Sequence, residues 1–167
     1  IGAVTLMQEP VAAVMSVMRA RSSNGTFIIY DLGGGTLDVA IAEGLESEGI
    51  SYRMFNAGGA DLADVMTDIL STRAVVLGCP TLNNGLLPPM ALYLEELRGL
   101  RFKNKIGTAF GTYGWSGEAV KRLEAGLQEA GIEVVLPAYR CQFSPGPEDL
   151  EKCRELGREL ALKIKES

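Results

Sequence analysis

The 167-residue chain contains no histidine. That absence removes the usual general base and the commonest metal ligand. Ser-His and Cys-His catalysis are excluded with it, and so is any metal site that relies on imidazole. Basic charge is scarce as well. Sixteen Lys and Arg face 21 Asp and Glu, a net charge of −5, so the chain lacks the footprint of a nucleic-acid binder and has no attraction to an anionic membrane surface. No apolar run approaches the roughly 18–20 residues of a membrane span. Three cysteines, Cys79, Cys141 and Cys153, are odd in number and lack metal-ligand spacing, and read as free thiols of a cytoplasmic protein. The opening Ile1-Gly2-Ala3-Val4 has neither methionine nor the basic n-region of a signal peptide, and reads as a cut or engineered end. No linker, low-complexity segment or repeat divides the chain, so residues 1–167 are expected to form one domain.

From Thr26 onward, short apolar β-rich runs alternate with amphipathic stretches, the pattern of a parallel α/β sheet. The strands expected are Thr26–Tyr30, Ser51–Asn56, Ala74–Gly78, Lys105–Phe110 and Glu133–Leu136. The helices expected are Ala60–Ser71, Pro88–Leu97, Ser116–Ala130 and Pro147–Lys165. Glu148, Asp149 and Glu151 at the start of the last helix, and Lys163 and Lys165 at its end, suit the helix dipole. Gly99 and Gly131 are expected just past helix ends as left-handed residues. Residues 37–48 are ambiguous. Leu37, Val39 and Ile41 alternate like a strand, whereas Leu37, Ile41 and Leu45 also share a helix face, and the composition, with Gly49 as a cap, favours helix. Before the sheet pattern begins, Glu9–Arg19 places Pro10 at a helix start and is apolar almost all round, so an extra apolar helix is expected there, buried here or in a partner.

Three loops carry chemistry. The run Thr26-Phe-Ile-Ile-Tyr-Asp-Leu-Gly-Gly-Gly-Thr36 delivers an apolar strand into Asp31, three glycines and a threonine. Gly33, Gly34, Gly35 and the Thr36 hydroxyl could present unobstructed N–H and O–H groups to a phosphate at a helix start, or the glycines could simply make a tight turn. Pro80, Thr81, Leu82, Asn83, Asn84 and Gly85 offer amides and backbone groups for the edge of a ring ligand, more than a plain strand-to-helix turn needs. Gly111, Thr112, Tyr113, Gly114, Trp115, Ser116 and Gly117 combine aromatics with glycines that let a backbone approach a flat ligand; a core tryptophan is the alternative. No acid, base or nucleophile stands in a catalytic constellation. Asp31 and Asp38 read as loop and surface residues.

Two resemblances attach to these residues. Leu6-Met-Gln-Glu-Pro-Val-Ala-Ala13 followed by Tyr30-Asp-Leu-Gly-Gly-Gly-Thr-Leu-Asp-Val39 resembles the nucleotide-binding domain of DnaK-type heat-shock chaperones, whose glycines bind ATP phosphates. The rest of that ATP site is missing from the chain. From about residue 42 the chain resembles the flavodoxin-like domain of flavodiiron proteins, on Asp64-Val-Met-Thr67, Val75-Val-Leu-Gly-Cys-Pro-Thr-Leu-Asn-Asn-Gly85 and Phe110-Gly-Thr-Tyr-Gly-Trp-Ser-Gly-Glu-Ala-Val120. That resemblance implies a doubly wound, three-layer sheet of five parallel strands in order 2-1-3-4-5, with FMN as cofactor at the switch point. The first loop departs from the family: Leu32–Thr36 stands, about three residues shorter, where the family carries a Thr/Ser-rich phosphate loop. A chimera joined near Glu43 explains both likenesses.

The leading expectation is an FMN-binding electron-transfer domain in chimeric form, with FMN affinity weakened or lost, and with no independent catalysis. The cofactor residues would be those of the three loops. The alternatives are a folded chimera without a ligand, and nucleotide or phosphate binding through Asp31–Thr36. A homodimer through exchange of the N-terminal segment is also expected, since it would bury the apolar helix.

Overall fold

The computed structural model describes residues 25–30 and 36–166. The apolar helix expected at Val11–Met18, residue Asp31 and glycines 33–35 lie outside the described residues.

Six strands form one parallel sheet: β1 (Thr26–Tyr30), β2 (Tyr52–Asn56), β3 (Ala74–Gly78), β4 (Ile106–Tyr113), β5 (Glu133–Val134) and β6 (Tyr139–Gln142). Their order is β2-β1-β3-β4-β5, and β6 also pairs with β4, so the expected order 2-1-3-4-5 holds. The fifth strand is in fact two short pieces laid end to end along β4. The sequence reading found only the first of them, because Pro137 interrupts the apolar run and β6 (Tyr-Arg-Cys-Gln) buries only Cys141. Strand β4 also runs three residues past the expected Phe110. Glycines within Gly-Thr-Ala-Phe-Gly-Thr-Tyr lower strand propensity, but both are needed for contact. A Cβ on Gly107 would lie 2.6 Å from the Val75 carbonyl oxygen, and one on Gly111 would lie 2.1 Å from that of Cys79.

Five helices cover the sheet: α1 (Leu37–Ser47), α2 (Leu62–Leu70), α3 (Pro88–Leu100), α4 (Glu118–Glu129) and α5 (Pro147–Glu166). Residues 37–47 are therefore helical. Strand residues alternate between faces, and each face has its own core. Ile29, Val75, Leu77 and Ala109 pack with α2, α3 and α4, including Val65, Ile69, Tyr93, Leu97, Leu123 and Leu127. Ile28, Val76, Ile106 and Phe110 pack with α1 and α5, including Leu37, Ile41, Leu45, Leu156 and Leu160. The three layers are those of a doubly wound α/β domain.

Helix ends follow local chemistry. Asp61 caps α2 by accepting from the N–H groups of Ala63 and Asp64 at 2.9 and 3.1 Å. Pro88 begins α3 at a position where its missing N–H costs nothing. Gly49 and Gly131 adopt positive φ, 73° and 79°. Gly99 does not: it lies inside α3, and the left-handed residue ending that helix is Arg101, φ 47°. Three further helical residues, up to Leu100, remain favourable beyond Leu97, because Leu97 is buried and Arg98 pairs with Glu129 at 2.7 Å.

Helices α1 and α5 meet at Gly44 and Gly157. A Cβ on Gly157 would stand 2.2 Å from the Ile41 carbonyl oxygen, and one on Gly44 would stand 2.1 Å from that of Arg154. The backbones touch, and Arg154–Glu43 (2.7 Å) and Lys165–Glu48 (2.9 Å) bridge the rim. Gly157→Ala is expected to destabilise the protein by at least about 2 kcal/mol in urea unfolding. Gly99→Ala, where a Cβ meets nothing within 4 Å, is expected to range from neutral to about 1 kcal/mol stabilising.

Candidate functional site

Strands β3 and β4 stay bonded beyond the end of β3. The Cys79 N–H donates to the Phe110 carbonyl at 3.1 Å, and the Thr81 N–H to the Thr112 carbonyl at 2.8 Å. The chain then turns in a two-residue hairpin. Leu82 and Gly85 exchange backbone hydrogen bonds at 3.1 and 2.8 Å, and Asn83 and Asn84 both take positive φ, 49° and 57°. Asparagine tolerates that conformation where most residues do not. The Asn-Asn pair is thus first a backbone requirement, and it leaves both amides exposed at the hairpin tip.

The Thr81 hydroxyl accepts from the Ala119 N–H at 3.2 Å. Residue Gly117 precedes α4 with φ 71° and has no side chain with which to cap it, so the cap is supplied from the other loop. Gly117 has its own reason to lack a Cβ, which would stand 3.2 Å from the Tyr113 ring. The Arg140 guanidinium lies 6.0 Å from the centroid of that ring. Ser116 donates to Glu118 at 2.5 Å, which lowers the pKa of that carboxyl.

Between these loops lies an open cavity of about 430 Å³ lined by Thr81, Leu82, Asn83, Asn84, Gly114, Trp115 and Ser116, of a size ordinary for small-ligand sites. Its walls carry hydroxyls, amides and one indole, and no charged side chain. Trp115 is 94% exposed, which rules out the core-tryptophan alternative. Of the residues expected from sequence, Pro80, Gly85, Gly111, Thr112, Tyr113 and Gly117 shape the loops from behind and do not line this cavity. A larger hollow of about 690 Å³ lies across the same hairpin, between α3 and α4. Arg98 there is paired with Glu95 and Glu129, and no aromatic face lines it, so the chemistry points to the smaller cavity.

The first loop is described only from Thr36. This residue is exposed at the start of α1, and its hydroxyl makes no capping bond, which leaves it available to a ligand. Two residues on, Asp38 is 1% exposed, which corrects its reading as a surface residue. Once residues 37–47 are helical, Asp38 falls on the face of Ile41, Ala42 and Leu45, three, four and seven residues ahead. The strand alternative concealed that pattern. Its carboxylate accepts the Val39 N–H at 3.0 Å, and burial pushes its pKa up to about 7. Burial, and after it the neighbouring Asp38, raises the pKa of Tyr30.

Cys79, Cys141 and Cys153 are buried and in no disulfide. Burial, with nearby Cys141 and Asp149, pushes the Cys153 thiol up to about 12, which makes it inert at neutral pH. Among the described residues no cluster of His, Cys, Asp or Glu could hold a metal, and no helix is long and apolar enough to cross a membrane.

This architecture, with loops gathered at the carboxyl ends of the central strands, agrees with the comparisons. The flavodoxin family profile matches residues 34–157, and the chain belongs to that family. The match begins within the glycine run, ahead of the junction expected near Glu43. A nitric oxide reductase from Moorella thermoacetica is 45% identical over 126 residues, 75% of this chain and 32% of the relative. An anaerobic nitric oxide reductase flavorubredoxin from Pectobacterium carotovorum is 40% identical over 124 residues, 73% of this chain and 24% of the relative. The chain thus spans about a quarter to a third of the length of these curated relatives. Among solved structures, the flavodiiron core of a Synechocystis protein superposes with TM-score 0.82 at 27% identity, covering 91% of this chain and 38% of that one. An archaeal flavodoxin superposes with TM-score 0.75 at 31% identity, covering 84% and 99%. Flavodoxins bind FMN at this switch point.

Asp38 supplies a test of the helix start. Its folded pKa of about 7 lies above the ordinary 3.8, so the folded state holds the proton more tightly. The resulting stability is fully present below about pH 4 and is lost as pH rises through about 7, a total on the order of 4 kcal/mol. In denaturant titrations, the difference in stability between wild type and Asp38→Asn is expected to shift in favour of the variant between those limits and to stay flat above pH 8.

Proposed function

We propose that the chain is an FMN-binding electron-transfer domain, and that it serves within a longer protein of the flavodiiron type, as the names of its relatives suggest for nitric oxide reduction. The observation that carries this reading is Trp115. A tryptophan almost wholly exposed, on a glycine-rich loop facing an uncharged cavity of hydroxyls and amides, has an aromatic face that none of the described residues covers.

The residues present fit the cofactor. Trp115 and Gly114 would receive the isoalloxazine ring, and Asn83, Asn84 and the backbone of Thr81–Gly85 would meet its polar edge. Gly33, Gly34, Gly35 and Thr36 would hold the phosphate at the start of α1. FMN supplies the redox chemistry when bound, and the protein sets orientation and potential. The uncharged walls would leave ring electronics to neutral hydrogen bonds, while the Thr81–Ala119 bond would keep the two ring loops in fixed spacing. The short first loop is the feature that would weaken phosphate binding, and the chaperone-like origin of residues before Glu43 is a separate proposal on the same segment. Homodimer formation through that segment would appear in light scattering as a mass that rises with protein concentration.

Trp115 is the sole tryptophan of the chain, so its fluorescence reports the site directly. Titration with FMN is expected to quench both the Trp115 emission and the flavin fluorescence saturably, and Trp115→Ala should weaken binding by about tenfold or more. Riboflavin binding as tightly as FMN would show that the first loop does not engage the phosphate. Saturable ATP binding with no flavin binding would overturn the proposal in favour of a nucleotide site.

A further inference from the structure

We infer that Phe143, at the end of β6, is a further positioning residue of the flavin site, holding the Gly114–Trp115 segment in the shape that receives the ring. The inference rests on the flavin reading above and adds a fourth segment to it, one the sequence analysis left out.

Phe143 is 66% exposed and takes a φ of 60°. A bulky side chain in the left-handed region is a genuine outlier, and such strain persists only where surrounding structure imposes it. The imposing contacts are visible. The Phe143 N–H donates to the Tyr113 carbonyl at 2.8 Å, and Gln142 Nε2 donates to the Gly114 carbonyl at 3.1 Å. The other end of the short β6–α5 connection is pinned by Asp149, which accepts the Tyr139 hydroxyl at 2.6 Å and the Gly146 N–H at 2.8 Å. With both ends fixed, the turn falls on Phe143.

A glycine would make that turn without strain, and the exposed ring gains little from the core. What the phenylalanine ring borders is the site loop. Its Cε1 lies 3.9 Å from where a Cβ on Gly114 would stand. Gly114 lines the cavity beside Trp115 and has no side chain with which to fix its own position. The Phe143 ring therefore flanks, from the end of β6, the side of Gly114 on which a side chain would stand. A strained residue whose ring lies against a site loop, and whose backbone is bonded to that loop, is a residue kept for the loop.

The test compares Phe143→Gly, Phe143→Ala and Phe143→Tyr in the full chain, with FMN as the probe. Phe143→Gly is expected to raise the thermal midpoint of the flavin-free protein, because strain is relieved, while weakening FMN binding by at least about fivefold. Trp115 anisotropy should fall in the same variant, and Phe143→Tyr should stay within about twofold of wild type. Phe143→Ala should weaken FMN binding in the same direction as Phe143→Gly. Unchanged FMN affinity in Phe143→Gly and Phe143→Ala, with wild type binding normally, overturns this inference and leaves the flavin reading standing. So does a loss of affinity that only follows a fallen midpoint in all three variants, which is what a merely structural residue gives. Failure of the wild type to bind FMN overturns both.

Discussion

The site depends on how closely β3 and β4 approach where they leave the sheet. Gly111 lies so near the Cys79 carbonyl that a Cβ there would stand 2.1 Å from it, and a Cβ on Gly78 would enter the Phe110 ring at the same distance. With those two side chains reduced to hydrogen, the strands remain hydrogen-bonded out to Thr81 and Thr112. The Asn83–Asn84 hairpin and the Trp115 loop therefore rise from one paired base and face each other across a fixed gap. The parallel direction of the strands then places the start of α1 at the same edge.

Much of this was legible in the sequence, because the signals were local. Alternation of β-rich runs with amphipathic segments located β1, β3 and four of the five described helices. Helix α1 stayed ambiguous between strand and helix, and only its composition, with Gly49 as a cap, favoured helix. The first three strands of the sheet need no tertiary information beyond their own apolar runs. What escaped was fixed by context. β6 buries one side chain in four and pairs with β4 only because β4 extends to Tyr113, which its glycines disguise. Arg101 ends α3 in a left-handed conformation that Gly99 had seemed placed to supply. At the site, the loop residues were found, but their division of labour was not. Thr81 is occupied as the cap of a distant helix, and Tyr113 is enclosed by Gly117 and Arg140. Neither role has a sequence signature, since each needs two loops brought together.

Asp38 and Trp115 break the rule of polar outside and apolar inside in opposite directions, at two loops of one edge. A carboxyl buried among Leu37, Ile41 and Cys153 resists ionisation, and an indole in water gives up the burial that usually repays it. At the mouth of the sheet the two violations stand close to the loops of the site, where local rules and the global fold part company. The opposite edge buries a charge too: Lys105 is 6% exposed, burial and the nearby Arg73 lower its pKa, and it donates to the Leu70 and Thr72 carbonyls.

The Gly44–Gly157 crossing has a consequence for how the molecule is made. Helix α1, which begins at the ligand edge, is covered by α5 and, among the described residues, by no other helix, and α5 is the last described element. During synthesis, the second face of the sheet, with Ile28, Val76 and Ile106, must wait uncovered while β2 through β6 emerge. One layer closes as its helices appear, whereas the other snaps shut only when the final twenty residues reach it. A nascent chain halted before Pro147 would thus be half a sandwich: sheet and three helices in place, α1 unclamped, and the future ligand edge without a fixed helix start.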